Sequence, residues 1–129
     1  LHEYGLMENV IAVIMAELKK SGEEEARPGR LLTVTLKVGA LELHSEDALR
    51  QAFEVLSQGT ALEGARLLLV ILPATLACPQ CGFRCPLPLG AADPHDALPM
   101  AECPQCRVLA PVQDGRGVES IELCWEEEA

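Results

Sequence analysis

Positive charge is scarce in this sequence: ten Lys and Arg stand against twenty Asp and Glu, and the formal net charge is −10. The basic residues are dispersed along the chain. Phosphate backbones are neutralised by clustered cations, so nucleic acid is excluded as a partner. Nor is there any run of roughly 18 apolar residues, the length needed to span a membrane, and no membrane partner is expected. The N-terminus lacks the basic region followed by an apolar run that marks a secretory signal, which places the protein in the cytoplasm. A P-loop is absent, so any nucleotide hydrolysis belongs to another protein. No His-Glu-x-x-His or comparable acid-base set occurs, and an enzyme is not expected.

What is present in quantity is cysteine, six residues in all. Cys78-Pro79-Gln80-Cys81 and Cys103-Pro104-Gln105-Cys106 are two knuckles of one spelling with 21 residues between them. Each turn lets both of its sulfurs face one ion, and four thiolates close a tetrahedral shell around zinc without an open position for substrate. Such a site is structural. The separation lies just beyond the usual window for paired C-x-x-C motifs, but a longer intervening loop leaves the knuckles unchanged. Disulfides fit poorly with a reducing compartment, and a redox motif of thioredoxin type needs one C-x-x-C rather than two matched copies. Cys85 and Cys124 have no obvious partner and are expected to be small buried hydrophobes.

Around the knuckles the chain reads as helices and strands. Leu6, Val10, Ile14 and Leu18, with Met7, Ile11 and Met15 beside them, form one apolar stripe of a helix that Ser21-Gly22 ends. Glu23 to Arg30 is a charged connection. From Leu31 the period changes to two: Leu32, Val34, Leu36 and Val38 alternate with Thr33, Thr35 and Lys37 in a half-buried strand that stops at Gly39. Ser45 caps a second helix with Leu49, Phe53 and Leu56 on one face, ending at Gly59. Ala65 to Leu72 is a second strand, and its continuous apolar core is the pattern of a central strand covered on more than one side. Strand, helix, strand in this order predicts a right-handed parallel crossover. Val118 to Trp125 is a third strand returning to the same sheet. The expected fold is therefore α/β, a small three-stranded mixed sheet with two helices plus an inserted zinc-ribbon lobe. Residues 1–76 with 113–129 form the α/β domain and 77–112 the ribbon.

His2 has no packing explanation. A histidine in second position lets the α-amine of Leu1, its own backbone nitrogen and its imidazole form adjoining chelate rings, a planar nitrogen-rich set that selects Ni(II) or Cu(II). Glu3 can add a carboxylate or a second backbone nitrogen. The plain alternative is a frayed chain end. His44 sits at a strand-to-helix junction and is expected to be a surface or capping residue. His95 lies in the loop between the knuckles, where it can serve as an extra nickel ligand or be an ordinary loop residue.

His2-Glu3-Tyr4 before a helix, Val38-Gly39-Ala40-Leu41, the Gln58-Gly59-Thr60 turn with Ala65 beyond it, and the two Cys-Pro-Gln-Cys knuckles together resemble the HypA/HybF hydrogenase maturation proteins over nearly the whole chain. The resemblance implies a nickel metallochaperone with a small α/β nickel lobe and a zinc ribbon. It carries nickel to the α-amine of Leu1, His2 and Glu3, and structural zinc to Cys78, Cys81, Cys103 and Cys106. It also implies two partners, the nickel GTPase HypB and the large-subunit precursor of a nickel-iron hydrogenase. The chain departs from the family at two places. Arg107 follows the second knuckle where glycine is common, and Leu1 stands where the family has methionine. A TTG start codon read literally accounts for Leu1, whereas residues preceding it would remove the free amine beside His2. The alternative function is a zinc-ribbon adaptor without a nickel-carrier role.

Overall fold

The alternation of Val34, Leu36 and Val38 decides the architecture, because it gives β1 (Leu31–Gly39) one fully buried face. In this computed structural model, which describes residues 2–20, 30–89 and 98–126, that strand lies at the centre of a three-stranded sheet. On one side β2 (Arg66–Leu72) pairs with it in parallel, Val34 opposite Leu67 and Leu36 opposite Leu69. On the other side β7 (Val118–Trp125) runs antiparallel, with Leu123 opposite Val34 and Ile121 opposite Leu36. The expected mixed sheet and parallel crossover are both present.

Two helices cover one face of this sheet. α1 (His2–Lys20) buries Met7, Val10, Ile11 and Ile14, the stripe read from the sequence. α2 (Glu46–Ser57) buries Leu49, Ala52 and Phe53, and these residues join Val34, Leu36, Val38 and Leu67 in one core. Ser45 caps α2 as expected, its Oγ accepting a hydrogen bond from the Ala48 N–H at 3.1 Å. Among the described residues, no helix is long and apolar enough to cross a membrane.

The position of β2 corrects one expectation. Its apolar run suggested a central strand, but it is an edge strand, and Leu68 and Val70 remain about two-fifths exposed (39% and 40%). With only three strands and helices on a single face, every second residue of β2 points to the open side whatever its hydrophobicity. Cys124 shares that side, opposite Thr33, and is exposed rather than buried for the same reason.

The second sheet is built from β3 (Thr75–Ala77), β4 (Arg84–Pro86), β5 (Met100–Glu102) and β6 (Leu109–Gln113) in the order β4-β3-β6-β5, all antiparallel. The chain enters it from β2 and leaves it into β7, so it is an insertion between two strands of the first sheet. The segment that leaves it is fastened to the end of β1. Gly39 N–H donates to the Gly117 carbonyl at 2.8 Å, and Leu41 N–H donates to the Gly115 carbonyl at 2.7 Å. Glu42, at the end of the short 3₁₀ turn Ala40–Glu42, accepts from Gly117 N–H at 2.7 Å. Behind these bonds Leu41, Ala74 and Val112 form a small apolar cluster of their own.

Glycine is required at this crossing by contact rather than by dihedral angle, because a Cβ on Gly39 would run into the backbone carbonyl of Gly115. Backbone cannot swing aside as a flexible side chain does. Gly39→Ala is expected to destabilise the protein by about 2 kcal/mol or more, as overpacking against fixed atoms does. Urea unfolding of the variant against the parent measures this, and equal midpoints would show that the crossing yields freely.

Candidate metal centres

The two knuckles fold identically because their sequences impose the same turn. Cys78 N–H donates to the Phe83 carbonyl and Gly82 N–H to the Cys78 carbonyl, both at 2.9 Å. In the second knuckle Cys103 N–H donates to Val108 at 2.9 Å and Arg107 N–H to Cys103 at 2.8 Å. The residue after each second cysteine must adopt a left-handed conformation, with φ of +79° at Gly82 and 67° at Arg107. This explains why glycine suits the place of Arg107: a side chain there costs about 1 kcal/mol or more. The Arg107–Glu102 ion pair at 3.5 Å is exposed and offsets little of it.

Strands β3 and β6 bring the knuckles together. Cys78, Cys81, Cys103 and Cys106 have all four sulfurs within 4.8 Å of one another. Cys78 Sγ lies 3.5 Å from Cys106 Sγ, and Cys81 Sγ lies 3.7 Å from Cys103 Sγ. A tetrahedron of sulfurs at about 2.3 Å from a central zinc has edges of about 3.8 Å, so the quartet fits such an ion. Its electrostatics already favour a thiolate. The Cys78 thiol is brought down to about 6, first by the Cys81 N–H, against burial, with the Gln80 N–H and the neighbouring thiols helping. The Phe83 N–H lowers Cys81, but burial and the thiols of Cys78, Cys103 and Cys106 outweigh it and push Cys81 up to about 12. One sulfur therefore carries the charge that the others serve, and a divalent cation would stabilise it on all four. Cys85 is half-buried against Leu76, Cys78 and Cys103, close to the expected small hydrophobe.

The other donor set lies at the start of α1. Leu1 is outside the described residues, as is His95, while His2 is the first residue of the helix. Glu3 is only 7% exposed, unusual for a carboxylate. Its Oε2 accepts from the backbone N–H groups of His44 at 2.6 Å and Ser45 at 2.8 Å. These are orphan donors at the entrance of α2, and the carboxylate also suits the positive end of that helix. Burial raises the Glu3 pKa, but the bonds from His44, Ser45 and its own N–H, with the charge of His44, bring the net value below the ordinary 4.5. The sequence reading missed this contact. Ser45-Glu46-Asp47 marked the entrance of α2, but nothing local could say that a residue more than forty positions earlier would help to satisfy it. His44 is exposed, as expected of a surface or capping residue.

Glu3→Ala is expected to lower stability by about 2 kcal/mol at neutral pH, the scale of hydrogen bonds to a buried charge. A carboxyl whose folded pKa is depressed contributes its full stability above the unfolded value and loses it as pH falls through the folded one. The gap between parent and variant should therefore hold from neutrality down to about pH 4.5 and narrow below it. Thermal melts across that range check both the size and the sign.

A family model described as hydrogenase/urease nickel incorporation, metallochaperone, HypA matches residues 1–123. The hydrogenase maturation factor HypA of Chloroflexus aggregans is 31% identical over 124 residues, covering 95% of this chain and 97% of that protein. The HypA of Ignicoccus hospitalis is 31% identical over 117 residues, 82% of each chain. The solution structure of the Ni metallochaperone HypA from Helicobacter pylori superposes with a TM-score of 0.51 at 18% identity, covering 98% of this chain and all of that one (100%). At that identity it speaks to the fold alone. Family model, full-length relatives and fold agree, and the chain belongs to the HypA family of hydrogenase and urease nickel-incorporation metallochaperones.

Proposed function

We propose that this protein carries Ni(II) at its N-terminal end and delivers it to a nickel-iron hydrogenase precursor, using a ribbon closed by structural zinc as a rigid second lobe. The observation that carries this reading is the pairing of two unlike donor sets in one chain. The four-cysteine quartet is closed, whereas His2 and Glu3 lie at the first turn of α1, where backbone N–H groups have no partner within the helix. A closed thiolate site suits a resident ion and an end-of-chain site suits a cargo.

In this reading nickel is held by the α-amine of Leu1, by His2 and by Glu3. His95 is a further donor proposed from the ribbon loop. Transfer proceeds by ligand exchange: a site made from one chain end presents few rigid contacts, so a recipient's donors can replace its own one at a time. The nickel GTPase HypB supplies nucleotide hydrolysis, since this chain has no P-loop. The ribbon, residues 77–112, offers Leu98, Met100 and Leu109 to solvent, at 84%, 45% and 67% exposure, a surface suited to a protein partner. Residues 1–76 with 113–129 form the nickel-handling part. Both partners are placed with this protein in the cytoplasm.

Two substitutions separate the lobes. Cys78→Ser should lose zinc and unfold the ribbon while the helices and first sheet persist, because metal binding contributes on the order of 10 kcal/mol to folding such small lobes. Zinc stoichiometry with amide exchange reads this, and one retained equivalent with a protected ribbon would contradict it. His2→Ala should abolish nickel binding, keep zinc, and leave the melting temperature nearly unchanged. Nickel titration of metal-free protein, with intact mass to identify the first residue, checks it. An unaltered nickel affinity would leave the adaptor reading in place of the carrier.

A further inference from the structure

The first sheet has two outer strands, β2 and β7, and their sequences protect them unequally. An outer strand leaves a row of backbone N–H and C=O groups open to another chain, and charged side chains are the usual defence. β7 carries Glu119 and Glu122, and Arg30 pairs with Glu126 just beyond it. β2 reads Arg66-Leu67-Leu68-Leu69-Val70-Ile71-Leu72 and has no acidic residue, in a chain of net charge −10. Its one charge stands at its start, and Leu68 and Val70 are exposed on the open face.

This edge is closed at both ends. Arg50 Nη1 donates to the Leu67 carbonyl at 2.9 Å, so that carbonyl points away from β1. Directions alternate along a strand, and the backbone groups of Leu69 and Ile71 therefore point outward as well. Pro73, the next position of that series, has no N–H to give. Residues facing each other across an antiparallel pair exchange both backbone bonds at every second position. A second copy of β2 meets that requirement when a two-fold axis passes through Val70. Leu69 then faces Ile71 of the other copy, and Ile71 faces its Leu69, with both bonds formed at each pair. The next pair outward is Leu67 with Pro73, and the carbonyl that proline leaves without a donor is the one Arg50 already serves. On the open face the same register sets Val70 against Val70 and Leu68 against Leu72. Lys37, beside Val70 on β1, is held by Glu122 at 3.9 Å and brings no free charge to the contact. At the Arg66 end a groove of about 620 Å³, lined by Phe53, Gly64 and Arg66, leaves room for the other chain where it turns off toward its ribbon.

We propose that β2 is a self-pairing edge, through which two copies of this chain join antiparallel into one continuous sheet about a two-fold axis at Val70. A strand edge is small beside the roughly 800 Å² per partner of a stable complex, and two acidic chains repel. The dimer is therefore weak, favoured by high concentration and by salt, which screens the repulsion. Neither the cysteine quartet nor the start of α1 takes part, so this pairing is independent of the nickel-carrier reading.

The test uses the full chain with zinc in place, under reducing conditions that prevent a disulfide through the exposed Cys124. Sedimentation velocity from micromolar to millimolar concentration is measured for the parent, Val70→Lys and Val70→Glu. The parent should pass from monomer to dimer, at lower concentration when salt is added. Each variant alone sets like charges together at the axis and should weaken association about tenfold or more. An equimolar mixture of the two should restore it, because opposite charges then meet. Val70 is 40% exposed, so melting curves of the dilute variants should match the parent, and mixing could not rescue a chain that fails to fold. A parent that stays monomeric throughout overturns the pairing, whatever segment of another protein β2 then accepts. A dimer that both variants leave intact, or a mixture that remains monomeric, overturns it by placing the contact away from Val70.

Discussion

The backbone of the seven residues from Gly39 to Ser45 is the constraint on which the rest of the molecule depends. Gly39 and Leu41 give their N–H groups to the Gly115–Gly117 segment, while Glu42 accepts from it. At the other end His44 and Ser45 give theirs to Glu3. One short segment thus holds the stem of the ribbon with its first half and the start of the chain with its second. Backbone donors buried without partners cost free energy, so each attachment removes a penalty the segment would otherwise carry. The apolar cores do not provide this link. Leu41, Ala74 and Val112 form a cluster too small to orient a lobe unaided, whereas hydrogen bonds fix direction.

That arrangement sets how charge is distributed. The chain carries −10 overall, and the closed sulfur quartet is a further reservoir of negative charge that only a cation can stabilise fully. At the opposite lobe the problem is reversed. The N-termini of α1 and α2 lie together around Glu3, and helix N-termini favour anions over cations. Glu3 answers the two helices with a single carboxylate, ionised through the physiological range because its pKa is depressed. On the proposed carrier reading, a divalent cargo near this point would be attracted by the carboxylate and opposed by the helix ends. Such a balance suits an ion that is held and then surrendered, as tight and closed thiolate binding would not.

Much of this was legible in the sequence because it is local. The apolar stripe from Leu6 to Leu18, the alternation from Val34 to Val38, the Ser45 cap and the matched Cys-Pro-Gln-Cys knuckles each depend on neighbours within a few positions, and each was found where the pattern put it; Leu32 breaks the alternation, 38% exposed beside a register shift between Leu31 and Thr33. The family resemblance carried by His2-Glu3-Tyr4, Val38-Gly39-Ala40-Leu41 and the knuckles is also borne out over residues 1–123. Failures came where tertiary position overrides composition. The run from Leu67 to Leu72 reads as central, yet β2 sits at an edge, because a strand's neighbours depend on topology and not on its own hydrophobicity. Cys124 was misread for the same reason, as it occupies the open face of a sheet covered on one side. The Glu3 contact joins residues 41 and 42 positions apart, and no periodicity reports such a pair.

The dual position of Glu3 bears on how a carrier site can be built from a chain end. An unanchored terminus would hold an ion weakly, since every donor must be ordered at the moment of binding and that ordering opposes affinity. Burying Glu3 and fastening it to α2 orders the first turn of α1 in advance. The price is a carboxylate half engaged in structure. A donor set that leaned on this carboxylate would have to break the strap to bind and re-form it to release, coupling cargo exchange to the fold. On the carrier reading, ligands other than this carboxylate would avoid that coupling: the anchor remains in place while they exchange around it. On the same proposed reading the fold would then stay fixed through loading and release, leaving a recipient's competing ligands, rather than unfolding of the carrier, to determine when the ion leaves.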